Sequence, residues 1–222
     1  MFNKRYCRFL LCVSLLAFSG CSFHDPNLHS EQFDLQGVPG SLQVNVGAGD
    51  LWLHGTDADS ISVTARIDGP TNHVGHEQDE QSLTVFDECH EDPCSVDLSL
   101  EVPRNVALTV RTGAGDVWLE NARGDISIRT GSGDIRGRGL AGVNFSAETG
   151  SGDVRFQLAP AVRVHLRTAS GDVALSVPGG AYRLEVSTGS GDREVEGVSN
   201  DPSASGAIDV ATGSGDLKIT GT

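Results

Sequence analysis

The sequence predicts an all-β fold, a parallel β-solenoid with two short strands in each coil of 18–20 residues, and three observations predict it. The first is a repeated corner. Thr130-Gly131-Ser132-Gly133-Asp134 recurs at 149–153, 188–192 and 212–216, with one-letter variants at 112–116 (Ala114 for Ser) and 168–172 (Ala169 for Gly). An earlier copy at 47–50 carries Val46 where the others have Thr. The aspartates at 116, 134, 153, 172, 192 and 216 are 18, 19, 19, 20 and 24 residues apart, a near-constant period that marks stacked supersecondary units. Glycines on either side of a small residue let the backbone turn without a Cβ penalty, so each copy of this Gly-Ser-Gly-Asp unit is a change of chain direction.

The second observation is alternation. Val117/Leu119, Ile126/Ile128, Val154/Phe156/Leu158, Val173/Leu175/Val177 and Leu217/Ile219 follow corners, while Val106/Leu108/Val110, Val162/Val164/Leu166, Leu184/Val186 and Ile208/Val210 precede them. Period-2 patterning of aliphatic residues is the signal of a half-buried strand, and no long window has the helical period. The third is that the strong corner returns at every second turn and never at the looser turns between, which contain Gly124, Gly139 with Gly142, Pro160, Gly179 with Gly180, or 197–206. Parallel stacking of like corners explains this better than an antiparallel meander.

Taken in order, residues 1–20 read as a secretory leader: Lys4, Arg5 and Arg8, then an apolar stretch at 9–18 too short to span a bilayer. Ser19-Gly20-Cys21 resembles the lipobox of bacterial lipoproteins, which implies lipidation of Cys21, and Ser22 after it implies outer-membrane sorting. Phe18 departs from the usual aliphatic residue there. Residues 21–32 read as the lipidated cysteine and a flexible tether, 33–105 as irregular N-terminal coils, and 106–222 as the regular array.

An acidic, His-containing excursion interrupts the N-terminal coils at about 69–93. With Cys7 and Cys12 in the leader and Cys21 lipidated, Cys89 and Cys94 remain as an even pair, which in a secreted chain points to a disulfide. His73, His76 and His90 lie nearby with several carboxylates, but the spacing fits no common zinc pattern, so no metal site and no cofactor are expected.

The formal charge of the chain is −14; without the leader's three basic residues, 13 Lys and Arg stand against 30 Asp and Glu, a net −17. Such a surface repels nucleic acid. In a parallel stack Asp134, Asp153, Asp172 and Asp192 would follow one another in a column together with Asp50, Asp116 and Asp216. Each carboxylate is expected to accept amides of its own corner rather than to bind calcium. Trp52 and Trp118 each stand two residues after a corner aspartate, between inward-facing aliphatic neighbours, and so face outward as a possible ligand surface. The ordinary expectation is that the excursion folds over them. Arg123-Gly124-Asp125 spells a known cell-attachment tripeptide, but a Gly-Asp turn is what this repeat makes in any case.

The recurring Gly-Ser-Gly-Asp-aliphatic-x-aliphatic units from Gly47 to Ile219, with the leader, resemble the bacterial putative-adhesin family, β-strand-repeat envelope proteins related to auto-transporter adhesin head domains. The resemblance implies a single-chain β-solenoid at the bacterial cell envelope with no catalytic residues to carry over. Its partners would be the membrane, through the N-terminal lipid, and a protein or glycan ligand. Two function classes follow: an adhesin-like or scaffold module, which is preferred, and a periplasmic sensor or assembly factor that binds another protein. A polysaccharide-active enzyme is disfavoured, because no off-pattern pair of carboxylates and no nucleophile–base arrangement interrupts the repeat.

Overall fold

A computed structural model describes residues 27–90, 92–159 and 163–222, so the leader, Cys21, Pro160 and Val162 lie outside the described residues. Those described form strands and connecting turns only. The N-terminal part contributes β1 (Leu28–Gln36), β2 (Ser41–Ala48), β3 (Leu51–Thr56), β4 (Ser60–Asp68), β5 (His73–Gln78), β6 (Ser82–Glu88) and β7 (Ser95–Pro103). The middle contributes β8 (Ala107–Ala114), β9 (Val117–Glu120), β10 (Ile126–Ser132), β11 (Ile135–Leu140), β12 (Asn144–Ser151), β13 (Val154–Leu158), β14 (Arg163–Ser170) and β15 (Val173–Val177). The remainder is β16 (Gly180–Ser190), β17 (Arg193–Glu196), β18 (Val198–Asn200), β19 (Ala207–Ser214) and β20 (Leu217–Gly221).

Two ten-stranded sheets result. Sheet A runs β1-β4-β7-β3-β9-β11-β13-β15-β20-β17 and sheet B runs β18-β16-β19-β14-β12-β10-β8-β2-β6-β5. In the solenoid-like stack each coil gives one strand to each sheet, and like strands of successive coils pair in parallel and in register, as in Ile126↔Phe145 and Ile135↔Val154. Aliphatic side chains at alternate positions meet between the sheets; Leu51, Val117, Ile135 and Val154 are wholly buried. Ile126 and Ile128 belong to the pre-corner strand β10, not to a post-corner strand as the alternation suggested; Ile135 opens the true post-corner strand, β11.

The corners are held by two ladders that run between coils. Each corner aspartate accepts, on Oδ1, the backbone amide of the next aspartate in the column: Asp97 from Asp50, Asp50 from Asp116, Asp116 from Asp134, Asp134 from Asp153, and Asp153 from Asp172. The expected bonding within a single corner is therefore corrected: the carboxylates join one coil to the next. The buried threonines form the second ladder; Thr149 Oγ1 donates to Gly133 O and Thr168 Oγ1 to Gly152 O, at 3.1 and 3.0 Å. Val46 opens this series in the first copy of the corner, which has no Gly-Ser-Gly corner before it to supply such a carbonyl. Gly133 has φ +140°, and a Cβ there would lie 2.1 Å from Gly115 O, so the stacking itself selects glycine.

Coil order differs from sequence order. The column continues from Asp172 to Asp216 and only then to Asp192, because Asp172 Oδ1 accepts the Asp216 amide and Asp216 Oδ1 accepts the Asp192 amide. Strands β19 and β20 thus lie between β14/β15 and β16/β17. The spacing of 24 residues reflects a return path in which β18 first pairs with Gly180–Tyr182 of β16.

The N-terminal end departs from the parallel pattern: β4 runs antiparallel to both β1 and β7, and β5 antiparallel to β6. Residues 28–32, expected as tether, are in β1, whose polar His29 and Glu31 hid the alternation that Phe33 and Leu35 continue. The excursion at 69–93 becomes the β5–β6 hairpin at the edge of sheet B, and does not cover the tryptophans of sheet A. Cys89 and Cys94 behind it form a disulfide with Cα atoms 5.8 Å apart.

Candidate functional site

The residue two after each corner aspartate points away from the core on sheet A, and register brings these residues into one row across the strands. In spatial order the row is Trp52, Trp118, Arg136, Arg155, Ala174, Lys218 and Glu194. Trp52 and Trp118 stack with ring centroids 4.9 Å apart and planes 2° from parallel, and Trp52 remains 40% exposed. The Arg136 guanidinium carbon lies 5.8 Å from the centre of the Trp118 ring, within reach of a cation–π contact.

The arginines also offset the charge of three aspartates in the middle of the column. Arg136 pairs with Oδ2 of Asp134 and reaches Asp116, while Arg155 Nη2 is 2.6 Å from Asp153 Oδ2. Each of these carboxylates therefore gives one oxygen to the next coil's amide and the other to an arginine. The Asp172 amide bond lowers the pKa of Asp153; burial opposes it and Arg155 adds to it. At Asp116, Asp134 and Asp153, like charges stacked about 5 Å apart are in this way each offset by an amide and an arginine.

A groove of about 510 Å³ opens beside Trp118. Arg136, Arg155 and Lys218 form one wall and Arg138, Gln157 and Thr220 the other, and the short side chains of Ala174 and Ser176 leave the depression between them. In the floor Gly137 stands where neighbouring coils place Leu119 and Phe156, and a Cβ there would be 2.3 Å from the Phe156 ring. Arg138 is joined to Glu120 at 2.7 Å and Lys218 to Glu194 at 2.7 Å, so the cations arrive already oriented by carboxylates. The arrangement offers a flat aromatic surface, oriented hydrogen-bond donors and amide and hydroxyl groups. It suits recognition of a polar ligand with an apolar face.

Of the residues singled out in the sequence, Trp52 and Trp118 come together. Asp50, Asp116, Asp134, Asp153, Asp172, Asp216 and Asp192 line up beneath them as the scaffold, and Cys89–Cys94 lies at the N-terminal end. Asp125 of the Arg123-Gly124-Asp125 turn is exposed and accepts the backbone and side-chain amides of Asn144. Sequence reasoning missed Arg136, Arg155 and Lys218, although the signal was present: each stands two residues after its corner aspartate, as both tryptophans do. It also missed Asp97, which starts the column from Ser95-Val96-Asp97 with no glycine corner.

The model of the Toastrack DUF4097 family matches residues 39–222. Among solved structures, a putative cell adhesion protein from Clostridium sporogenes is similar with a TM-score of 0.56 at 12% identity, over 88% of this chain and 100% of that one. A putative adhesin from Bacteroides fragilis is similar with a TM-score of 0.49, also at 12% identity, over 88% of this chain and 98% of that one. No curated protein matches the sequence.

Proposed function

The chain belongs to the Toastrack DUF4097 family, and on that footing we propose that it is a non-catalytic binding module of the bacterial cell envelope, adhesin-like or scaffold in character. In this reading Cys21 anchors it through lipid, and the outer face of sheet A holds a glycan or protein ligand. The observation that carries the proposal is the parallel-stacked pair of Trp52 and Trp118, of which Trp118 lines the groove. The stacked indoles, Trp52 exposed and Trp118 half-buried, are brought together by strand register with Arg136 against the Trp118 ring, and an apolar surface beside oriented arginines favours ligands that combine a hydrophobic face with polar edges. The Clostridium sporogenes neighbour, named for cell adhesion, shares the fold and is in keeping with this role.

The test is retention of the purified protein on immobilised envelope polysaccharides and envelope proteins. Replacing both tryptophans by alanine is expected to lower retention at least about tenfold, since aromatic anchors dominate interfaces of this kind. The melting temperature should move by no more than a few degrees, because the row faces solvent. Undiminished retention of the double variant would remove the sheet A face from consideration.

A further inference from the structure

At the N-terminal end the terminal strands of the two sheets, β1 and β5, face each other without a backbone ladder between them. Side chains make the seam. On β1 the alternation places His29, Glu31, Phe33 and Leu35 on one side, and His73 and His76 come from β5. Phe33 stacks on His76 with centroids 5.2 Å apart, and Glu31 Oε1 lies 2.6 Å from His73 Nδ1 and 3.8 Å from His29 Nε2. One ligand-type atom from each of His29, Glu31 and His73 falls within 4.8 Å of the other two.

We propose that His29, Glu31 and His73 bind one divalent transition-metal ion of the zinc class, which staples the edge of sheet A to the edge of sheet B. Two imidazoles and one carboxylate are a donor set that zinc takes in tetrahedral sites with water as fourth ligand. Metal–ligand bonds of about 2.0–2.1 Å in that geometry put donors about 3.3 Å apart, so no pair in the group needs to adjust by more than about 1.5 Å.

Two features prepare the site beyond composition. His29 Nε2 is buried and makes no hydrogen bond, an arrangement that costs free energy unless something coordinates the nitrogen. Glu31 Oε2 accepts the Val74 amide at 3.1 Å, which fixes the carboxylate and leaves Oε1 turned to the two histidines, as an outer-shell bond orients a metal ligand. His73 is about half exposed, which leaves a path for the ion and room for water.

Among the described residues the other cluster of ligand type, Asp87 with Cys89 and Cys94, has both sulfurs committed to the disulfide. The histidines grouped by sequence proximity, His73, His76 and His90, are not the set that the fold assembles.

The test uses the protein purified without a histidine tag, stripped with chelator and titrated with zinc chloride by calorimetry. One equivalent should bind with a dissociation constant in the micromolar range or below, the melting temperature should rise with free zinc, and calcium should bind at least about a hundredfold more weakly. His73→Gln, on the exposed side, and His29→Gln should each weaken zinc at least about tenfold. X-ray absorption of the zinc-loaded native protein, which depends on no variant folding, should show two imidazoles with oxygen ligands. No zinc uptake, uptake unchanged in the His29→Gln/His73→Gln variant, or a spectrum without imidazole would each overturn the proposal.

Discussion

The two ends of the stack are closed in different ways. At the N-terminal end β7 joins β3 of the first coil in parallel and the chain then reverses direction, β4 lying antiparallel between β7 and β1, so that Ile61, Val63, Ala65 and Ile67 have no exposed surface. At the other end the outermost coil, β16 and β17, is built from the same repeat as the middle of the array, yet Leu184, Val186 and Val195 are only partly buried. Position 193 there breaks the pattern. In register with Leu217, it follows the column of Leu51, Val117, Ile135, Val154 and Val173, but is Arg193. Its guanidinium crosses the end of the core and donates to Val186 O on the facing sheet at 3.1 Å. A repeat that bonds like to like carries no instruction to stop, so each end requires chemistry of its own.

The largest effects should come from leucines on either side of this contrast. Leu98 in β7 and Leu166 in β14 are both fully buried, and alanine at either should cost about 2–5 kcal/mol in urea unfolding. Leu184→Ala removes the same atoms from a partly buried position at the outermost coil and should cost roughly half as much. Arg167→Ala, beside Leu166 but facing outward, should stay within about 0.5 kcal/mol. If Leu184→Ala proved as costly as Leu166→Ala, the outermost coil would have to be covered in solution, and the contrast between the ends would fail.

The aspartate column predicts a smaller, pH-dependent effect. Asp153 sits mid-column with its pKa held below the ordinary aspartate range by the Asp172 amide and Arg155. A carboxyl whose folded pKa is depressed contributes stability that is complete above its unfolded pKa and lost as pH falls through the folded one. Stability should therefore decline as the pH drops through and below the usual aspartate range, and Asp153→Asn should make that decline shallower. At neutral pH Asp153→Ala should cost about 1–2 kcal/mol through the unpaired Asp172 amide. Asp192 ends the column, with no further corner to bond, and the same substitution there should cost less. A slope unaltered by Asp153→Asn would mean that other carboxylates control acid sensitivity.

How much of this could be read beforehand depends on which residues carry each feature. The corners, the alternation and the outward tryptophans follow from local chemistry, and the sequence displays that directly. The coil order does not, because Asp172, Asp192 and Asp216 stand in equivalent contexts, and a repeat pairs equally well with any other copy. Gly137 concealed β11, since the aliphatic residue that alternation calls for is replaced by the ring of Phe156 from the next coil. The His29–Glu31–His73 group joins residues 44 apart through a seam that exists only once β1 and β5 have become the edges of different sheets. The second wall of the groove was similarly illegible, as Arg138 and Gln157 come to line one groove across the irregular pairing of β11 with β13.

The sharpest test of how the ends differ, with little expected change in stability, is Arg193→Leu. Leucine would complete the aliphatic column and lose the bond to Val186 O, two effects of opposite sign that should leave the unfolding free energy within about 1 kcal/mol of the native value. What should change is association. The edge of β17, and that of β16 beyond the part paired with β18, has backbone groups facing outward, and a charged side chain laid across an open edge is one of the devices that keeps such strands from pairing with another chain. With leucine the same edge presents a continuous apolar end, and sedimentation velocity should show concentration-dependent self-association beyond that of the native protein. The N-terminal end offers a matched control: Gln32→Leu lies on the exposed side of β1, away from the core, and should not produce the same assembly. Equal association by both variants would trace the effect to added surface hydrophobicity, and none by Arg193→Leu would show that the twist and shortness of the last coil already close the stack without its arginine.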